Sequence, residues 1–113
     1  MARVEIIESL EKEIRRKFKK ESIRIFELMK SLEENPKKGK LLGNVGGIAI
    51  KELKYRSFRF YFLADGLKLK ILSKEGLTDL LLKLARMPDK KSHQKAINEI
   101  RKILVKIALR ASG

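Results

Sequence analysis

The segment FRFYFLA (58–64) alternates large apolar side chains with Arg59 and Tyr61 and runs into Asp65-Gly66, and this pattern constrains the chain more than any other. Period-two alternation puts successive side chains on opposite faces of a strand. Asp-Gly between two such runs signals a two-residue hairpin turn. A loop at Asp65-Gly66 pairs Leu63 with Lys68, Phe62 with Leu69, Tyr61 with Lys70, Phe60 with Ile71 and Arg59 with Leu72. Phe58, Phe60, Phe62, Leu67, Leu69 and Ile71 then share a core face, while Arg59, Tyr61, Lys68 and Lys70 share an open one. The preceding IAIKELKY (48–55) is also a strand by its β-branched and aromatic content. A tight turn at Arg56-Ser57, although poor turn chemistry, sets Lys54 opposite Arg59 and Glu52 opposite Tyr61 on the open face.

The flanks supply helices. After a short strand VEII (4–7), Leu10, Ile14 and Phe18 recur every fourth residue as one apolar stripe. Lys19 to Ser22 interrupt it, and Ser22 can cap a second helix carrying Ile25, Phe26, Met29 and Leu32 until Asn35-Pro36. A helical hairpin and one long helix both fit. The glycine- and lysine-rich PKKGKLLGNVGG (36–47) reads as an ordered loop entering the sheet. LLLKLARM (80–87) suits a strand or a helix, and the strand is favoured. From about residue 90 to 111, Ile97, Ile100, Leu104 and Ile107 keep helical spacing between Lys95, Arg101, Lys102, Lys106 and Arg110, giving a long basic amphipathic helix. The expected class is α+β: an N-terminal helical hairpin packed on a small antiparallel sheet, with an added C-terminal helix, in a single domain over residues 1–113.

Charge then limits the partner. The 113 residues carry 28 Lys plus Arg against 14 Asp plus Glu, a formal charge of +14. A charge-rich surface of the thermophile kind explains many of these groups but not the two-to-one imbalance. A surface of that sign attracts phosphate backbones through counterion release, so RNA leads, ahead of an acidic protein or anionic lipid. The absence of cysteine excludes disulfides, thiolate zinc sites and cysteine nucleophiles. The longest uncharged stretch, LLGNVGGIAI (41–50), is too short to span a bilayer. A cytoplasmic protein without membrane contact is expected.

In ENPKKGKLLGNVGGIAIKELKYRSFRFYFLADG (34–66) the chain resembles the RelE/ParE toxin superfamily, and the Glu52-Leu53-Lys54 triplet, Arg59 within SFRFYF and ARMPDKKSHQKAINEI (85–100) look closest to its HigB-like, phage-derived branch. The likeness extends over residues 4–100. It implies a RelE-like fold and a toxin that cleaves mRNA on the ribosome without metal or cofactor, or one that inhibits DNA gyrase. It also implies an antitoxin partner, usually acidic, with a heterotetramer as one assembly. The family's strand arginine matches Arg59, which would contact the scissile phosphate; a solvated surface cation is the plainer alternative. Lys54 is a candidate base or phosphate ligand, and Glu52 would orient Arg59 or Lys54. Arg86 and Lys91 are candidates for a further catalytic cation. His93 is the sole histidine and could protonate a leaving group, since imidazole titrates near neutrality, although a lone histidine is more often incidental. Lys51, Tyr61, Lys68, Lys70, Lys83 and Lys90 are candidates for RNA contacts, Tyr61 by stacking. The chain departs from many RelE-type nucleases in its long final helix and in having no tyrosine after Tyr61. A RelE-fold module that binds nucleic acid without cutting is therefore a further expectation.

Overall fold

The computed structural model describes residues 2–86 and 93–111. Its elements are β1 (Arg3–Ile6), α1 (Glu8–Phe18), α2 (Ser22–Lys30), β2 (Lys40–Val45), β3 (Ile48–Tyr55), β4 (Phe58–Asp65), β5 (Lys68–Leu72), α3 (Lys74–Arg86) and α4 (His93–Ala111). Two 3-10 turns lie at Lys19–Glu21 and Ser31–Glu33. The strands are ordered β1-β5-β4-β3-β2 in one sheet. The class is α+β as expected, but the sheet is mixed: β2 to β5 form an antiparallel meander, and β1 lies parallel to β5. A parallel pair is possible because most of the chain, not a tight turn, joins these two strands.

The helical hairpin forms as two helices. Lys19 takes a positive φ of 50° at the break. Ser22 does not cap α2; it is the first residue of that helix, and its hydroxyl donates to the Lys19 carbonyl. The outer edge of β1 is tied down where the Val4 and Ala2 amides donate to the side chain and carbonyl of Glu33. An exposed strand edge is thereby blunted.

The sheet is covered on both faces. On one, Leu10 and Ile14 of α1 and Ile25 and Met29 of α2 pack with Leu53, Phe60, Phe62, Leu69 and Ile71. On the other, Leu77 and Leu81 of α3 and Ile100, Ile103 and Ile107 of α4 pack with Leu42, Ile50, Tyr61 and Leu72. The face expected to be open therefore holds a second core, and Tyr61 is 2% exposed. Two expected core residues stand at the surface instead, Leu67 in the β4–β5 turn and Phe58 beside the β3–β4 turn.

Three further differences have local causes. The segment 80–86, expected as a strand, belongs to α3. Ser73 opens this helix by accepting a hydrogen bond from the Gly76 amide, and Leu77, Leu81 and Leu84 continue its stripe. The expected loop at 40–45 is strand β2, whose pattern is hidden by Gly43 and by the Gly46-Gly47 turn. A Cβ on Gly43 would lie 2.7 Å from a Glu99 carboxylate oxygen and 2.9 Å from Ile103, so the bare backbone there admits α4. Finally, the β4–β5 register is shifted by two residues, with Asp65 opposite Lys68 and Phe62 opposite Ile71. Gly66, at φ 60°, leads a turn that closes on Gly66-Leu67, not Asp65-Gly66. A shift of two preserves which face each side chain occupies, so the assignment of faces survives.

α4 is anchored to the edge strand as well as packed on it. The Lys106 ammonium donates to the Leu42 carbonyl at 2.7 Å, and a Glu99 oxygen accepts from the Asn44 amide at 3.3 Å. If this helix is part of the core, Ile103→Ala destabilises the protein by about 2–5 kcal/mol in urea unfolding, as much as Ile25→Ala beneath the other face. An Ile103→Ala protein with unchanged unfolding free energy would mean that α4 is an appendage.

Candidate functional site

The β3–β4 hairpin brings part of the expected site together. Lys54 pairs with Arg59, and Glu52 with Tyr61, in the register expected for a turn at Arg56-Ser57. The poor turn chemistry is visible, since Arg56 is held at φ 54°, a conformation glycine or asparagine takes more readily. Its guanidinium lies 3.2 Å from a Glu21 oxygen, and the Tyr55 hydroxyl donates to the other Glu21 oxygen at 3.1 Å. Glu21 thus fastens the tip of the hairpin to the break between α1 and α2. Nothing in the local sequence marks Glu21, because the contact joins residues more than thirty apart.

Alternation puts Glu52, Lys54, Arg59 and Tyr61 on the α3–α4 side of the sheet, and burial falls steeply along this row. Tyr61 is a core residue, Glu52 is 7% exposed, the Arg59 side chain is 26% exposed, and Lys54 is in solvent. Glu52 and Arg59 are diagonal neighbours across the strand pair, and the Arg59 Nε lies 3.5 Å from Glu52 Oε1. That distance is an ion pair, not a hydrogen bond. Two cations directly opposite each other repel. Glu52 offsets that repulsion from below, while Lys54 and the outer part of Arg59 face solvent, where a bound anion would add to the compensation.

The remaining expected residues are dispersed. Lys51 lies on the opposite face of β3, where its ammonium donates to the Lys37 and Pro36 carbonyls at 3.0 and 3.4 Å and sits over the Phe62 ring. Burial lowers its pKa below the usual lysine value. That lysine holds the 36–37 loop against the sheet. Lys68 and Lys70 share the face of Arg59 but stand at the other end of it, where they line a concavity with Arg3, Glu5, Leu63 and Asp65. The second core separates them from Arg59, so the single basic face becomes two basic patches. Lys83 and Arg86 are exposed on α3. Lys90 and Lys91 lie outside the described residues; His93 begins α4, and its side chain is likewise outside the description.

No helix among the described residues is long and apolar enough to cross a membrane. Comparisons of the chain with family models, with curated proteins and with solved structures give no match. What the site can do therefore follows from its geometry and charge.

A double-mutant cycle tests whether Glu52 and Arg59 act as a pair. Each of Glu52→Gln and Arg59→Gln destabilises the protein, and the double variant loses less than the sum, with a coupling of about 1 kcal/mol or more in chemical denaturation. Strict additivity would show that the two groups are independent.

Proposed function

We propose that the chain is a RelE/ParE-like toxin that cleaves mRNA on the ribosome without a metal, with Arg59 and Lys54 binding the scissile phosphate. The observation that carries this reading is the pair of cations fixed side by side on adjacent strands, one braced by buried Glu52 and both reachable from solvent. Side chains on strands are held in place by the ladder beneath them, which suits a site that must stabilise charge developing in a transition state.

The chemistry asked of it is transesterification. The substrate 2′-oxygen forms a bond to phosphorus as the bond from phosphorus to the 5′-oxygen breaks, leaving a 2′,3′-cyclic phosphate and a 5′-hydroxyl. A base takes the 2′-hydroxyl proton, and an acid returns one to the departing oxygen. Arg59 neutralises charge on the non-bridging oxygens through its planar guanidinium. Lys54, directly opposite, is the second phosphate ligand and the nearest candidate base. The acid is assigned to the segment carrying Arg86, Lys91 and His93, as the sequence pattern suggests. An acidic antitoxin fits the +14 charge, which would speed its association and be masked by it.

Two features favour a second reading, in which the chain binds RNA without cutting: no tyrosine follows Tyr61 in the sequence, and the long α4 is built into the core where many RelE-type nucleases end in a short tail. The two readings part in one experiment, incubation with translating ribosomes followed by mapping of mRNA ends. Cleavage predicts new 5′-hydroxyl ends, reduced about 100-fold by Arg59→Ala, the scale of losing one preorganised charge-stabilising donor, and reduced less by Lys54→Ala. Intact mRNA bound with a steep salt dependence would favour the second reading.

A further inference from the structure

β5 ends at Leu72, the partner of Tyr61, so residues 58–60 of β4 pair with β3 on one side and have no β5 partner on the other. Along this free edge runs a groove of about 160 Å³, walled by Lys17 and Phe18 of α1 and by Phe58 and Arg59 of β4, with Glu13, Lys74 and Glu75 also in its lining. Phe58, at the start of β4 beside the hairpin turn, is 37% exposed. It is fixed nonetheless: the Phe18 ring meets it at 84° with centroids 4.7 Å apart, and the Lys17 ammonium lies 4.6 Å from its centroid. The groove thus has a held, partly bare aromatic wall with the cations of Lys17, Arg59 and Lys74 around it.

The ring decides what fits. Lys17, Lys74 and Arg59 stand beside exposed Glu13 and Glu75 in the lining, so charge alone admits any anion, whereas the partly bare Phe58 ring offers a face to a nucleobase, whose exocyclic amino groups can donate to the carboxylates. The volume suits one base. Phosphates on either side of that base would fall toward Lys17 and Arg59 at the margins. Aromatic rings beside a cationic backbone track are how proteins hold unpaired nucleotides, because every base offers a face to stack.

We propose that this groove is a nucleobase subsite for single-stranded RNA, in which one unpaired base stacks on Phe58 while the flanking phosphates contact Lys17 and Arg59. The proposal rests on the toxin reading above and extends it, since it specifies an unpaired substrate and a stacking ring on the side of β4 away from Tyr61.

The test is fluorescence anisotropy with a labelled 2′-O-methyl decaadenylate, which cannot be cleaved, so that binding is read apart from cutting. Phe58→Ala should weaken binding about tenfold, equivalent to about 1.4 kcal/mol and within the range for one stacked base. Phe58→Tyr should bind as the wild type does. Inorganic polyphosphate, which has charge but no bases, should bind wild type and Phe58→Ala equally, and thermal unfolding by circular dichroism should show both variants folded. Wild-type affinity of Phe58→Ala for the decamer overturns the proposal. So does an equal loss toward polyphosphate, which would mean that the basic surface itself had been disturbed. If the decamer binds and Phe58→Ala loses it while mRNA stays intact on ribosomes, cleavage falls and the subsite stands. A wild-type protein that binds no oligonucleotide overturns both.

Discussion

The structure depends on β4 being buried on both faces. Phe60 and Phe62 project into the core formed with α1 and α2, and Tyr61 projects into the core formed with α3 and α4. A strand of this kind cannot lie under a single helical layer, because an uncovered second face would leave Tyr61, Leu72 and Ile50 in water. Covering both faces of the sheet's centre removes it as a binding surface. The cover stops at the hairpin end, and there the row on β3 and β4 changes from Tyr61 through Glu52 and Arg59 to solvated Lys54.

This arrangement gives the buried Glu52–Arg59 pair its meaning. A carboxylate placed at the margin of an apolar core is costly unless a cation compensates it, and removing one partner costs more than the pair contributes. Glu52 is compensated by Arg59, which in turn stands opposite Lys54. Fold stability and the proposed phosphate site thereby draw on the same three side chains. The rest of the +14 charge is divided. Lys106 is spent on the Leu42 carbonyl and Lys51 on the 36–37 loop, while Lys68 and Lys70 sit in a separate concavity beyond the second core.

Much of the hairpin was legible in the sequence because strand alternation is a local signal. The faces of β4 and β5 and the pairing of Lys54 with Arg59 follow from period two and from a turn at Arg56-Ser57, and all were readable. The β4–β5 register differs by two residues from the sequence expectation because Asp65-Gly66 is a stronger turn signal than Gly66-Leu67. α3 is hidden because LLLKLARM alone lacks a period, which appears only once Leu77 and the Ser73 cap are included. Burial of Tyr61 could not be inferred from β4 at all, since it depends on two helices later in the chain. For the same reason alternation alone joins Lys68 and Lys70 to Arg59: they share its face but are divided from it by residues that only the tertiary structure brings between them. The contact of Glu21 with Arg56 and the exposure of Phe58 likewise have no local trace.

If the hairpin end of the sheet, and not the basic face as a whole, meets RNA, an amide chemical-shift titration of isotopically labelled protein with the non-cleavable decamer shows it. The largest changes then fall on residues 52–60 and on Lys17 and Phe18, with Arg3, Lys68 and Lys70 little affected. Changes centred on the Arg3, Lys68 and Lys70 concavity, with 52–60 unmoved, would contradict it.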